Sequence, residues 1–262
     1  MAMRRKMALF FAVAVMLLLA ATFHHAQIMP DGSVSLYRGA GKPRYIFVDL
    51  GANRADSLEA FLLTTPEREV RIRFPQALLG NARTDRVLTP LGFRPAIEIY
   101  LFEANPVFNA ALVEAKERYT AQGKRVQVFP STVADVADGT RTFYLDTVNE
   151  THDFWGSSTY ANHGDVAGSR GAGTAMPAVD VARWLLTNAL PRDLVVVKMD
   201  VEGAEYDLLP HFVEMGAWAV VDHLLVEWHA GLPSEAAGRA AAEALARLKA
   251  EGVNVPDYES PA

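Results

Sequence analysis

The chain contains no cysteine. That single absence excludes disulfides, thiolate-bound metal and a cysteine nucleophile. Positive charge is also in short supply: 25 Lys and Arg face 31 Asp and Glu, for a formal charge of −6. The basic run Arg4-Arg5-Lys6 sits at the very N-terminus, ahead of any acidic residue, so the rest of the chain holds the whole acidic excess. An acidic domain without a basic run is a poor partner for nucleic acid. No internal repeat is visible, which sets solenoids and propellers aside. What is present is 262 residues with 50% hydrophobic content, enough for one globular domain with a full core and some extensions.

Residues 1–30 read as a targeting segment, either a signal anchor or a signal peptide. Arg4-Arg5-Lys6 precede an unbroken apolar run from Met7 to Phe23, at the short end of what crosses a bilayer. Charge on that side leaves the N-terminus in the cytosol and puts the domain beyond the membrane. The expected location is therefore the Golgi or ER lumen, with the chain held by this single helix, or outside the cell if the segment is cleaved. Residues 31–44, with Asp31-Gly32, Gly39-Ala40-Gly41-Lys42-Pro43 and few large apolar residues, read as a linker. Residues 45–262 form the domain.

The domain opens with Tyr45-Ile46-Phe47-Val48, an apolar run of the buried parallel-strand kind, ending on Asp49. Gly51, Ala52 and Asn53 make a small-residue turn, and an amphipathic run from Asp56 to Leu63 follows. Strand, small loop and helix together form the first unit of a nucleotide-binding α/β sheet. Gly51 and Ala52 let the backbone pass close to a ligand, and Asp49 accepts hydrogen bonds from a polar ligand edge. The plainer alternative is a tight strand–helix turn. Thr64 to Pro95, with four prolines, reads as an irregular insertion.

Four more strands are expected: Ile97–Phe102, Val126–Phe129, Leu194–Met199 and Val220–Glu227. Asn105 and Pro106 start a helix with Phe108, Leu112, Ala115 and Tyr119 on its inner face. Asp138-Gly139 signals a hairpin leading into a short strand at Thr142–Leu145. Asn149 to Thr174 is a long polar loop, and loops of that length are usually functional. Asp180 caps a helix, Pro210 is expected to bend or restart the helix after the fourth strand, and Ser234 caps a final Ala-rich helix. Gly252–Val255 looks like the start of a last strand. The architecture is thus α/β, doubly wound, with a mostly parallel Rossmann-like sheet.

Asp49, Glu103, Asp200 and the Glu227/His229 pair stand at strand ends. In such sheets the ligand lies outside the carboxyl ends, so these groups are expected to converge on one cleft. A carboxylate at Glu103 suits the two hydroxyls of a ribose, in NAD or in S-adenosylmethionine. In the NAD fingerprint the acid lies about 20 residues past the glycines, whereas Glu103 lies about 50 past Gly51.

VDLGANRADS (48–57), FEANP (102–106), TFYL (142–145), GSST (156–159) and above all VKMDVEGAEYDLL (197–209) resemble the FkbM-type family of S-adenosylmethionine-dependent methyltransferases. Order and approximate spacing agree from Tyr45 to His229. The resemblance implies a class I methyltransferase fold with S-adenosylmethionine as cofactor. It places Asp49, Gly51, Ala52 and Asn53 around the methionine part, Glu103 on the ribose, and Thr132 and Val133 beside adenine. It turns Asp200 and Glu202 to the methyl group and acceptor. Ala55 stands where the family commonly has a second glycine. The short C-terminus leaves little material for the final antiparallel hairpin of the usual seven-stranded sheet.

The expected reaction is O-methylation of a hydroxyl on a sugar, a glycan or a small molecule, with Asp200 or His229 as base and Glu202 adding to the acidic field. Asp200 with Glu202 is too small a set to assert a divalent metal site. Two other readings compete. One is a catalytically silent, membrane-tethered interaction module with a cofactor fold. The other is an NAD-dependent oxidoreductase.

Overall fold

In the computed structural model, residues 26–28, 34–36, 43–63, 80–81, 86–87, 97–152, 154–169 and 171–258 are described. The chain divides into two compact units, residues 1–42 and 43–262. In the first, Ala26–Ile28 and Val34–Leu36 pair antiparallel. The apolar run at 7–23 and most of the 64–95 insertion lie outside the described residues, apart from a small ladder of Gly80–Asn81 with Arg86–Val87. Among the described residues, no helix is long and apolar enough to cross a membrane.

The second unit is built on a five-stranded, all-parallel sheet. Its strands are β1 (Tyr45–Leu50), β2 (Ile97–Phe102), β3 (Arg125–Phe129), β7 (Leu194–Met199) and β8 (His223–Val226). They lie in the order β8-β7-β1-β2-β3. The chain starts in the middle, winds out through β2 and β3, then returns to the other side of β1. The winding therefore reverses between β1 and β7, and ligands in such sheets bind at that reversal.

Burial follows the two-residue period of a strand. Ile46, Val48 and Leu50 enter one core, and Phe47 enters the other across the sheet. The first core is filled by Phe102 stacked on Phe129 at 4.1 Å, with Trp184 edge-on to both. The second contains the Phe47–Phe61 stack at 4.2 Å. At the amino ends of the strands one ion network ties four segments together. Arg44 meets Asp193 at 2.5 Å and Glu98 at 3.1 Å, and Arg125 meets Glu98 at 2.6 Å. The opposite, carboxyl end is left for chemistry.

Helix α1 (Asp56–Leu63) follows β1, and α2 (Asn109–Ala121) follows a short turn at Pro106–Phe108. The Asn105 side chain accepts from Val107 N at 3.1 Å, as its capping role requires. Phe108, Leu112, Ala115 and Tyr119 are all buried.

The hairpin expected at Asp138-Gly139 is not one. β4 (Val133–Asp135) and β5 (Gly139–Phe143) flank an inserted strand, β6 (Thr174–Asp180), parallel to the first and antiparallel to the second. β6 closes the stretch that reads as loop in the sequence. Its Pro177 removes a donor, but that position pairs only with Thr140, so the missing N–H breaks no ladder on the other side. Between β5 and β6 lie a 3-10 turn at Glu150–His152 and a short helix, α3 (Gly164–Ser169). The Asp180 side chain then caps α4 (Val181–Asn188) by accepting from Arg183 N at 2.9 Å.

Helix α5 (Glu205–Glu214) runs unbroken through Pro210, against the sequence expectation. The proline sits in its second turn, so one hydrogen bond is lost in a helix otherwise fixed by Leu208, Leu209 and Phe212 in the core. Ser234 caps α6 (Glu235–Ala250), which buries Ala241, Ala244 and Leu248. The strand expected at 252–255 is reduced to one bridge, His223 with Asn254.

That bridge makes β8 sensitive to pH. His223 is fully buried, and its Nδ1 lies 3.0 Å from Asn254 Nδ2. Nδ1 must therefore accept, and burial pushes the imidazole down to about 4. An unfolded histidine titrates near 6.5, so the unfolded chain takes up this proton first. The contribution is complete above pH 6.5 and is lost as pH falls towards 4. The unfolding free energy read from urea titrations is expected to drop over that window by an amount on the order of 3 kcal/mol. In His223→Leu that part of the slope is expected to vanish.

Candidate active site

The β1–α1 loop is shaped by its neighbours before any ligand is considered. Gly51 has φ +80°, and a Cβ there would overlap the carbonyl oxygen of Asp200. The glycine is required by the end of β7. The N–H groups of Gly51 and Ala52 both donate to Phe102 O at 3.0 Å. Asn53 has φ +48° and donates its N–H to Glu103 Oε2 at 2.8 Å. Ala55 sits at φ +69°, a left-handed conformation that explains why glycine suits the position; alanine there costs about 1–2 kcal/mol.

Glu103, just past β2, is 8% exposed. Its Oε1 accepts from Asn105 N at 2.6 Å while Oε2 holds Asn53 N. Burial pushes its carboxyl up to about 7, against these two backbone donors. Each oxygen keeps a second lone pair for a hydroxyl.

Gly51, Asn53, Glu103, Thr132, Val133, Asp200, Glu202 and Glu227 line one cavity of about 1050 Å³, counting its open mouth. Phe108, Phe143, Trp155, Ser157 and Thr159 are in its wall as well. Glu103 and the Thr132–Val133 backbone are in one part of the lining, and the Asp200–Glu202 turn with Glu227 is in another. The polar segment before β6 contributes Trp155 to Thr159. It is pinned there by Ser158 Oγ donating to Glu202 O at 2.5 Å and by Asn105 Nδ2 donating to Ser157 Oγ at 2.9 Å.

Asp49 and Ala52 do not line the cavity; they are 0% and 1% exposed and lie beneath it. What joins Asp49 to the site is Lys198, in register with it on β7 and 1% exposed. Lys198 Nζ donates to Gly51 O at 2.7 Å and stands 3.2 Å from both Asp49 and Asp200. Burial would push the ammonium down, but Asp200 and Asp49 more than reverse that, so it stays charged. Burial pushes Asp49 up to about 6, with Lys198 opposing. The motif pattern gives Lys198 no role of its own. Its signal was a charged residue inside an otherwise apolar strand.

Glu202 has φ +51°, backbone strain of the kind that clusters at functional sites. Its Oε2 lies 2.9 Å from His163 Nε2 and 3.3 Å from His229 Nε2. Burial works to raise its carboxyl, but the two histidines hold it at about 2. His163, in the polar segment before β6, is thus an ion-pair partner of Glu202.

His229 does not line the cavity but stands against its acidic wall. Its Nδ1 and its backbone N meet Glu205 Oε1 at 3.2 and 2.8 Å, and its Nε2 lies 3.7 Å from Asp200. Burial would lower it, but Glu202 and Glu205 raise it to about 11. It is therefore an imidazolium at neutral pH, which removes it as the proton acceptor expected from sequence. Glu205, in the first turn of α5, is 0% exposed and also accepts from Gly203 N at 2.9 Å.

The lining fits an adenosine carrying a charged chain: a carboxylate for ribose hydroxyls, apolar walls at Val133, Phe108 and Phe143, and an acidic mouth for positive charge. A family model described as the methyltransferase FkbM domain matches residues 84–252. The matched stretch takes in Glu103, Thr132, Val133, Asp200, Glu202 and His229; the Asp49–Asn53 loop precedes it. No curated protein and no solved structure matches the chain.

Proposed function

Since the chain belongs to the FkbM methyltransferase family, we propose that it transfers a methyl group from S-adenosylmethionine to a hydroxyl oxygen of a sugar, a glycan or a small molecule. The observation that carries this reading is one cavity holding a buried ribose-type carboxylate, Glu103, and an acidic turn, Asp200 to Glu202. S-adenosylmethionine, when bound, supplies a methyl group already activated as a sulfonium.

The chain's own residues supply position and charge. Glu103 accepts from the ribose hydroxyls, and Thr132 and Val133 flank the adenine. Gly51 and Asn53 border the methionine part, while Asp49 and Ala52 act from beneath; Asp49 and the Gly51 carbonyl also hold Lys198. Asp200 receives the acceptor's proton; Lys198 on one oxygen fixes its orientation. Glu202 and the Glu227 carboxylate provide the negative field at the mouth.

NAD is a weaker fit, because the Gly51 and Ala52 N–H groups that would meet a pyrophosphate are already bound to Phe102 O. Residues 1–30 support a membrane-anchored enzyme facing a lumen, where glycan hydroxyls are the available acceptors.

The test is calorimetric titration of the full chain with S-adenosylhomocysteine, followed by transfer of labelled methyl to a panel of sugar hydroxyls. Saturable binding and transfer are expected. In Asp200→Asn the rate is expected to fall about 10²–10⁴-fold with affinity within about threefold. Binding without transfer to any hydroxyl returns the chain to the silent-module reading. Absence of binding by folded protein sinks the methyltransferase reading.

A further inference from the structure

Three side chains at and beside the cavity wall come from the ends of two neighbouring strands. Asp200 follows β7; Glu227 and His229 follow β8. One ligating atom from each, two carboxylate oxygens and a ring nitrogen, all lie within 4.8 Å of one another. His229 Nε2 and Asp200 Oδ1 are 3.7 Å apart, a spacing that two ligands of one divalent cation take at ~2.1–2.4 Å each.

The backbone beneath them is fixed. Glu227 N donates to Met199 O at 2.9 Å, and Asp200 N donates to Leu50 O at 3.1 Å. The imidazole is aimed from outside the trio. Glu205, 0% exposed, holds Nδ1 and the backbone N of His229 through a single oxygen, while its other oxygen is held by Gly203 N. That leaves Nε2 as the ring atom facing Asp200. A buried carboxylate on the far nitrogen is how proteins set the tautomer and direction of a metal-binding histidine.

We propose that Asp200, Glu227 and His229 form a binding site for one divalent cation of the Mg²⁺/Mn²⁺ class. The ion takes the place of the Nε2 proton that His229 carries in the metal-free chain, so two carboxylates and one imidazole bind it and leave coordination positions for water and a substrate oxygen. Glu202, 3.3 Å from Nε2, is the outer partner that keeps His163 in place.

The use of the ion rests on the methyl-transfer reading; its binding does not. On that reading the ion fixes the acceptor hydroxyl, whose proton leaves to water at the mouth. The O–CH₃ bond forms as the S–CH₃ bond breaks, with the electron pair returning to sulfur. With the ion bound Asp200 is a ligand; in the metal-free chain it is the proton acceptor described above.

The experiment titrates the chelator-stripped full chain with Mn²⁺ alone, following free Mn²⁺ by electron paramagnetic resonance. One ion per chain is expected, with affinity reduced at least about tenfold in Glu227→Gln and in His229→Gln. Circular dichroism checks each variant; if His229→Gln does not fold, Glu227→Gln, at a partly exposed position, carries the test. No saturable binding, or binding that the folded variants leave unchanged, overturns the site. S-adenosylhomocysteine titrated into the same sample separates the two ideas. Mn²⁺ binding without it leaves the ion site and sinks methyl transfer, whereas the reverse sinks the ion site alone.

Discussion

Glu103→Ala is expected to weaken S-adenosylhomocysteine binding by at least about 100-fold. Two losses combine. The ribose hydroxyls lose a charged acceptor, worth about 1.5–3 kcal/mol per hydrogen bond. The N–H groups of Asn53 and Asn105, which Glu103 now holds at 2.8 and 2.6 Å, are left without it, and the loop that frames the cavity loosens. With 1.4 kcal/mol to each factor of ten, either loss alone approaches tenfold or more.

The same residue gives a pH signature. Burial holds Glu103 near 7, and the ionised form is the one that accepts from both hydroxyls. Affinity is therefore expected to fall as pH drops below about 7, and calorimetry at pH 6 and pH 8 reads the difference. Glu103→Gln is expected to bind weakly at both values with no such difference. Equal affinity in wild type and Glu103→Ala would remove Glu103 from the ribose.

The largest effect on stability is expected at Lys198. It is 1% exposed, between an aspartate that is 0% exposed and the Asp200 carboxylate. Lys198→Met keeps the length and removes the charge, so Asp49 is left as a buried acid without its cation. Breaking a buried pair in this way costs about 3–5 kcal/mol, or about 10 °C in Tm for a domain of this size. Charge, rather than shape, is the cause if Asp49→Asn combined with Lys198→Met recovers a substantial part of the loss. A double variant no more stable than Lys198→Met would instead point to packing around the lysine stem. Because Lys198 also bonds Gly51 O at 2.7 Å, the single variant is expected to lose cofactor affinity too.

Much of this protein was determined by local sequence. The five core strands are short, mostly apolar runs, and the acids that follow them are legible because charge is rare inside a buried strand; Asp49, Glu98 and Lys198 are the exceptions, each paired with an opposite charge. The caps at Asn105, Asp180 and Ser234 were legible for a similar reason: each satisfies donors a few residues away, so pattern and contact lie in one window. The acids Glu103, Asp200 and Glu202 reach the cavity as their strand-end positions imply.

Tertiary structure decided the rest, wherever the deciding partner is remote in the chain. Pro177 lies in a strand because β6 has a neighbour on one side only at that point. Pro210 stays inside a helix because core contacts outweigh one lost hydrogen bond. Asp49, which sequence turns towards a ligand, faces Lys198, 149 residues later. His229 reads as a base, but carboxylates at 200, 202 and 205 surround it and keep it protonated. A residue's type and spacing set the chemistry it is capable of. Its charge state depends on which neighbours the sheet brings within about 4 Å and on how much water is excluded there, and only the assembled fold settles both.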